Sequence, residues 1–187
     1  SASTTVLNAA PVVDSITMPS GNIMTDGSVT AVVAMSDVDS AHQSTLSANY
    51  EWFVNGSSVQ SGSDDTLGGS FFQKGNDVYV VVTASDGVDD SDSVTSSSVV
   101  IANSSPTNLQ VSMASTDSFH NDSTLTCSAT ADDLDVNDGV DTLIYDYSWS
   151  TGATGATLNL AGSVMPETEI TCSVTVSDGT ALSLIHI

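Results

Sequence analysis

The sequence predicts an all-β chain folded as two tandem β-sandwich domains with essentially no helix. Three observations lead there: the residue mix, an internal duplication of about 95 residues, and runs of period-two alternation bounded by turn residues. Apolar residues make up 40% of the 187, enough to build packed cores, while aromatics are only 5%. Val and Thr, which favour strands, are interleaved with Gly, Ser, Asp and Asn, which favour turns.

The duplication orders the elements. Pro11 opens PVVDSITMPSG and Pro106 opens PTNLQVSMAST, each three residues after an asparagine, Asn8 or Asn103. Next, SVTAVVAMSDVDS (28–40) matches STLTCSATADDLD (123–135), giving a second strand with Val29, Ala31, Val33 and Met35 on one face. Leu125, Cys127 and Ala129 take the same parity in the second repeat. YEWFVNG (50–56) then matches YDYSWSTG (145–152), and VYVVVTASDG (78–87) matches EITCSVTVSDG (169–179). Pro11 to Pro106 is 95 residues, Trp52 to Trp149 is 97 and Asp86 to Asp178 is 92, so the copies differ only by small loop insertions and deletions. In the penultimate strand Val78, Val80, Val82 and Ala84 correspond to Ile170, Cys172, Val174 and Val176, the alternation of a half-buried strand. Trp52 and Trp149 fall on the intervening strand, where sandwiches bury a tryptophan between their sheets.

Cys127 and Cys172 occupy inward positions on strands flanking Trp149. That Cys–Trp–Cys order belongs to an immunoglobulin-like sandwich, and an inter-sheet disulfide is expected; two buried free thiols are the alternative. The first repeat carries Ala31 and Val80 at the matching places. The Pro-initiated repeats, the aromatic-x-Trp-x-x-x-Gly strand and the V-x-V-x-V-T-A-S-D-G strand resemble the PKD-type and cadherin-like immunoglobulin-fold repeats of large bacterial and archaeal surface proteins. The resemblance spans nearly the whole chain and rests on fold-level patterning.

The ends do not match the repeat. STTVLNAAP at the start resembles SVVIANSSP at the end of repeat one, so residues 1–8 read as a final strand belonging to a preceding domain or donated to a neighbouring subunit. Domain 1 then covers 9–103 and domain 2 covers 104–187, whose own last strand reads as missing or stunted at SDGTALSLIHI. Two explanations stay open: a window from a longer array with a non-native LSLIHI tail, or head-to-tail assembly in which Thr4, Thr5, Val6, Leu7 and Asn8 complete the next copy by strand donation.

The charge balance narrows function. There are 23 acidic residues against a single cation, Lys74, for a net charge of −22. That excludes nucleic-acid binding and attraction to an anionic membrane surface, and no apolar run is long enough to insert in a bilayer. The acids are nearly all aspartate and gather in loops: Asp37 and Asp39; Asp132, Asp133, Asp135 and Asp138 with Asn137; Asp86 and Asp89; and Asp178. Ca²⁺ takes about six to eight oxygens, which aspartate, asparagine and carbonyls supply. These residues are therefore candidate calcium ligands, although Gly139 stands one place late and Ile144 replaces the closing glutamate of an EF-hand. Cadherin-like repeats hold calcium with Asp-x-Asp loops at domain junctions, which the resemblance carries to Asp37/Asp39 and Asp133/Asp135. The competing reading is an acidic, hydrated surface of halophilic or marine type. Asn55, Asn103 and Asn121 begin glycosylation triplets, which Ser-rich sequence also produces by chance.

No catalytic signature emerges. His42, His120 and His186 share no metal-ligand spacing, and no nucleophile elbow or phosphate loop occurs. The expected role is a non-enzymatic extracellular surface stalk or filament subunit. Its partners are copies of itself or adjacent immunoglobulin-like repeats. An adhesin or carbohydrate-binding module recognising a surface glycan or protein is the alternative, with Trp52, Trp149, Tyr50, Tyr145 and Tyr147 as a candidate stacking platform.

Overall fold

Alternating valines at 78, 80 and 82, ending in Ala84, place every second side chain of one strand fully out of water, each 0% exposed. A strand with such a face is stable only if another layer covers it, at about 1.5–3 kcal/mol for each fully buried Val, Leu or Phe side chain. A computed structural model describes the chain except for Ser40, Asp138 and Ile187, and except for the side chains of Asn137, Leu184, Ile185 and His186. The chain is all-β and forms two compact units, 1–102 and 103–187. Among the described residues no helix is long and apolar enough to cross a membrane.

Unit 1 contains β1 (Val12–Thr17), β2 (Ser28–Thr30), β3 (Val32–Ser36), β4 (Ser47–Val54), β5 (Ser57–Gly62), β6 (Thr66–Gly68), β7 (Asp77–Ser85), β8 (Val94–Thr95) and β9 (Val99–Val100). β4 is the hub of a five-stranded sheet, paired with β5 on one side and, over eight register positions, with β7 on the other; β8 and β9 extend β7. The second strand expected from sequence is divided at the buried Ala31: β2 pairs with β6, and β3 pairs with β1. The Ala31 N–H donates to the Asp65 carbonyl, one position beyond the last β2–β6 pair. Val13, Val29 and Leu67 join Trp52, Val54, Phe72, Val78, Val80 and Val82 in one buried cluster. The β4–β5 turn places Asn55 and Gly56 at positive φ, 49° and 79°, the geometry that Asn-Gly favours between twisted strands.

Unit 2 contains β10 (Thr107–Ser115), β11 (Thr124–Asp132), a single helical turn α1 (Leu134–Asn137), β12 (Ile144–Trp149), β13 (Thr157–Asn159), β14 (Cys172–Ser177) and β15 (Leu182–His186). One sheet runs β10-β11-β13 and the other β12-β14-β15. Cys127 on β11 is bonded to Cys172 on β14, tying the two sheets together around the buried Trp149. Each tryptophan sends its indole N–H to a backbone carbonyl, Trp52 to Asp64 and Trp149 to Gly155, so the one polar atom of the ring is satisfied.

The two ends depart from expectation. The segment expected to be a missing or stunted last strand is β15, paired with β14 at five positions from Ser173↔His186 to Ser177↔Leu182. Asp178 explains the difference. Its Oδ1 accepts the Thr180 and Ala181 N–H groups, which reverses the chain within an SDG turn and leaves the edge of β14 open to the very next residues. At the other end, residues 1–11 form no strand in this chain, and Val6 and Leu7 are 89% and 81% exposed.

Candidate functional site

Each unit gathers polar side chains from three separate stretches: the acids of the Asp-x-Asp that follows the second strand and of the Asp-Gly that follows the penultimate strand, and the amide of the asparagine ahead of the first strand. In unit 1 the Asp39 N–H donates to Asp37 Oδ1 at 2.7 Å, curling the loop after β3 around its first carboxylate. Asp86 does the same after β7, accepting the Val88 and Asp89 N–H groups at 2.7 and 2.8 Å, with Gly87 at φ 90° completing the turn. The leading segment then closes over both loops. Asn8 Nδ2 donates to Asp86 Oδ2 at 2.9 Å and to Asp89 Oδ2 at 2.8 Å, and the Ala9 N–H donates to Asp39 Oδ2 at 2.8 Å.

Unit 2 repeats this pattern except for the bond to Asp89, in whose place the Asn103 amide donates to the Ser104 carbonyl. The Asp135 N–H donates to Asp133 Oδ1 at 2.9 Å, and Asp178 closes its turn through Thr180 and Ala181. Asn103 Nδ2 donates to Asp178 Oδ2 at 2.9 Å, and the Ser104 N–H donates to Asp135 Oδ2 at 2.7 Å. Residues 75 and 31 positions apart in the chain are thereby held together.

Four of these carboxylates are buried: Asp86 and Asp133 are 4% exposed, Asp178 7% and Asp135 0%. Unit 2 contains neither lysine nor arginine, so no side-chain cation of these two types can neutralise its three from within the unit. The hydrogen-bond supply also falls short. Among the described residues, Asn8 Oδ1, Asp37 Oδ2 and His42 Nδ1 in unit 1, and Asn103 Oδ1, Ser104 Oγ and Asp133 Oδ2 in unit 2, are buried atoms without a hydrogen-bond partner. An unsatisfied buried polar atom costs about 1–3 kcal/mol, more if charged, so several of them in one place need a counterpart. Ligand atoms of Asp37, His42 and Asp86 lie within 4.8 Å of one another, and so do those of Asp133, Asp135 and Asp141. Carboxylate, amide and imidazole donors converging at that spacing can hold a divalent cation.

The two sites differ in their electrostatics. Asp86 is lowered to about 2, chiefly by the Asp89 N–H and then by the Asn8 amide and the Val88 N–H, against a smaller opposing effect of burial. Asp133 moves the other way. Burial raises its pKa, the Asp135 and Asp178 charges add to the rise, and the Asp135 and Val136 N–H groups only partly offset it. Asp86 is thus solvated as an anion by N–H groups, whereas Asp133, the first acid of the other unit's Asp-x-Asp loop, is a buried carboxylate that its N–H partners only partly compensate.

Of the acids expected to bind calcium, Asp37, Asp39, Asp86, Asp133, Asp135 and Asp178 are brought into these sites. Asp89 is exposed and participates by holding Asn8. Asp132 does not belong: it closes β11 on the outward parity and accepts a bond from Asn108 Nδ2. Asp138 and the Asn137 side chain lie outside the described residues. Asn8, expected in an assembly strand, is instead the amide that caps the unit 1 site. Asn103 is a poor glycan acceptor, since the nitrogen a glycan would occupy donates to Asp178 and its oxygen is buried. Asn55 and Asn121 remain exposed. The sequence signal for both asparagines lies in their matching places three residues before Pro11 and Pro106; His42 carries no such signal. Trp52 and Trp149 are 0% and 4% exposed, which removes them from any stacking platform. No protein-family model matches the chain, and no curated protein matches its sequence.

Proposed function

We propose that the chain is a non-catalytic extracellular structural module, two immunoglobulin-like sandwiches of a surface stalk or filament, each stiffened by a divalent cation, calcium in the first instance. The observation that carries this reading is the duplicated Asn, Asp-x-Asp and Asp-Gly site with unpaired buried oxygens in both units. The sandwich reading is supported by separate sheets sharing one buried cluster in each unit, three in unit 1 and two in unit 2, and by the Cys127–Trp149–Cys172 core. The disulfide favours an oxidising compartment. Both cysteines are bonded, and the buried acids are spent on bracing turns, an arrangement suited to holding chain segments together rather than to moving protons. Strand donation by Thr4, Thr5, Val6, Leu7 and Asn8 loses its simplest acceptor, because β14 is already paired by β15. Copies would instead have to add to the outer edge of β15, or contiguous repeats would follow one another in a longer chain.

Calorimetry of the full chain in chelator, then in millimolar Ca²⁺, tests the cation reading. Upward shifts in unfolding temperature are expected, as for any ligand that binds the folded state alone. Unchanged transitions would leave the aspartates as a hydrated acidic surface and nothing more.

A further inference from the structure

The two sites share an architecture but not a donor set. In unit 2 the loop after Asp133-x-Asp135 contributes another carboxylate, Asp141. In unit 1 the loop after Asp37-x-Asp39 contributes an imidazole, His42. We propose that the unit 1 site binds a borderline first-row divalent cation, Zn²⁺, through His42 Nδ1, Asp37 Oδ2, Asn8 Oδ1 and Asp86, while the all-oxygen site of unit 2 binds Ca²⁺. The inference rests on the cation reading above and adds the metal class of each site.

Three of the four donors named for unit 1, the Asn8, Asp37 and His42 atoms, are buried and without a hydrogen-bond partner among the described residues. His42 Nδ1 lies 3.6 Å from Asp86 Oδ2, too long for a hydrogen bond. An ion pair between those two would still leave Asp37 Oδ2 and Asn8 Oδ1 unused. A cation among the four uses every one. The imidazole is one-third exposed, so Nε2 can carry the ring proton toward water while Nδ1 keeps its lone pair inward.

Donor number and type separate the metals. Zinc takes about four ligands and accepts imidazole nitrogen readily, whereas calcium takes about six to eight oxygens. The unit 2 set of Asn103 Oδ1 with the Asp133, Asp135, Asp141 and Asp178 carboxylates comes closer to that oxygen count, and Asp133, 4% exposed with its Oδ2 unpartnered, is the atom most in need of a cation there. One other cluster includes histidine, Asp117 with His120 and Asp122, but all three residues are exposed and none of their atoms is buried without a partner.

Equilibrium dialysis of the full chain against Zn²⁺ in a large excess of Ca²⁺, with both metals counted per chain, tests the proposal. One tightly held zinc is expected in the unsubstituted chain. His42→Ala should weaken it by at least the roughly 10- to 100-fold that even an outer-shell partner of a metal ligand is worth. Asp37→Asn, which keeps the shape and removes the charge, should weaken it as well. His120→Ala should leave zinc unchanged, and Asp133→Asn should lose calcium and keep zinc. Zinc displaced by calcium, or lost in His120→Ala and not in His42→Ala, overturns the assignment. If no variant binds calcium, the calcium reading fails on its own, and the zinc count still decides this one.

Discussion

At corresponding positions of their second and penultimate strands, unit 1 buries Ala31 and Val80 and unit 2 bonds Cys127 to Cys172. The surroundings differ in step. The unit 1 cluster includes fourteen buried apolar residues with Trp52, Leu67, Phe72 and Ile101 among them, against six in the unit 2 cluster, two of which are the cysteines, counting described residues only. A large core stabilises a sandwich by burial alone, whereas a small one is left marginal and gains from a covalent tie that restricts the unfolded chain. The same asymmetry recurs among the acids. Asp86 is stabilised as an anion by N–H groups, while Asp133 is buried with only partial compensation from the Asp135 and Val136 N–H groups. Unit 1 holds its core together by burial alone, whereas unit 2 adds a disulfide; on the proposed reading both complete their acid sites with a cation.

The disulfide is the strongest test of that contrast. Replacing Cys127 by Ala and Cys172 by Val gives unit 2 the residues of unit 1. With the cysteines 45 positions apart in sequence, loop-closure entropy assigns a loss of about 4 kcal/mol. Denaturant unfolding followed through resolved amide signals of each unit should show unit 2 melting far earlier and unit 1 unmoved. A loss below about 1 kcal/mol would mean that the smaller core suffices and that the comparison is wrong.

A smaller effect, with a change of sign, is expected at Asp133. In chelator, Asp133→Asn removes a buried charge that is only partly compensated and should stabilise unit 2 by about 1–3 kcal/mol; in Ca²⁺ the same substitution should erase most of the cation's stabilisation. The pH dependence follows. Because the folded-state pKa of Asp133 is raised, its ionised form opposes folding, and that penalty is relieved as pH falls from neutral through the raised value. Asp86 is lowered, so its contribution is fully present above the ordinary value of 3.8 and is lost only as pH falls through about 2. Metal-free unit 2 should therefore gain stability in mild acid, and Asp133→Asn should flatten that gain.

The smallest change is at Asn8. Asn8→Ala removes the amide bonds to Asp86 and Asp89 and should cost unit 1 about 1 kcal/mol. It should also bring the Asp86 titration, followed by carboxyl chemical shifts, back toward ordinary values. An unmoved Asp86 would show that the turn N–H groups alone hold it down.

Much of the fold is legible in the sequence because strands announce themselves by local alternation. Val78 to Ala84, and Cys172 to Val176, require nothing beyond period two. The Asp-x-Asp and Asp-Gly loops are equally plain, since each is a turn built from adjacent residues. The choice between Asp132 and Asp133 is not plain. Both are acids at a strand end, and only the position where β11 stops decides that Asp132 faces outward to Asn108 while Asp133 turns in. The role of Asn8 is hidden for a different reason: its partner Asp86 lies 78 residues away. β15 escapes a sequence reading because its composition breaks the repeat, although a strand adjoining an open edge needs main-chain hydrogen bonds more than it needs a matching sequence.

By itself, then, the sequence determined the all-β class, the duplication and the inward parity of the tryptophans and cysteines, because these are patterns of the chain alone, while the structure settled that the cysteines are bonded. Tertiary structure alone decided which oxygens converge. Burial and hydrogen-bond satisfaction depend on which distant segments meet, and no local pattern states that Asn103, Asp133, Asp135 and Asp178 will share one site with lone pairs left over.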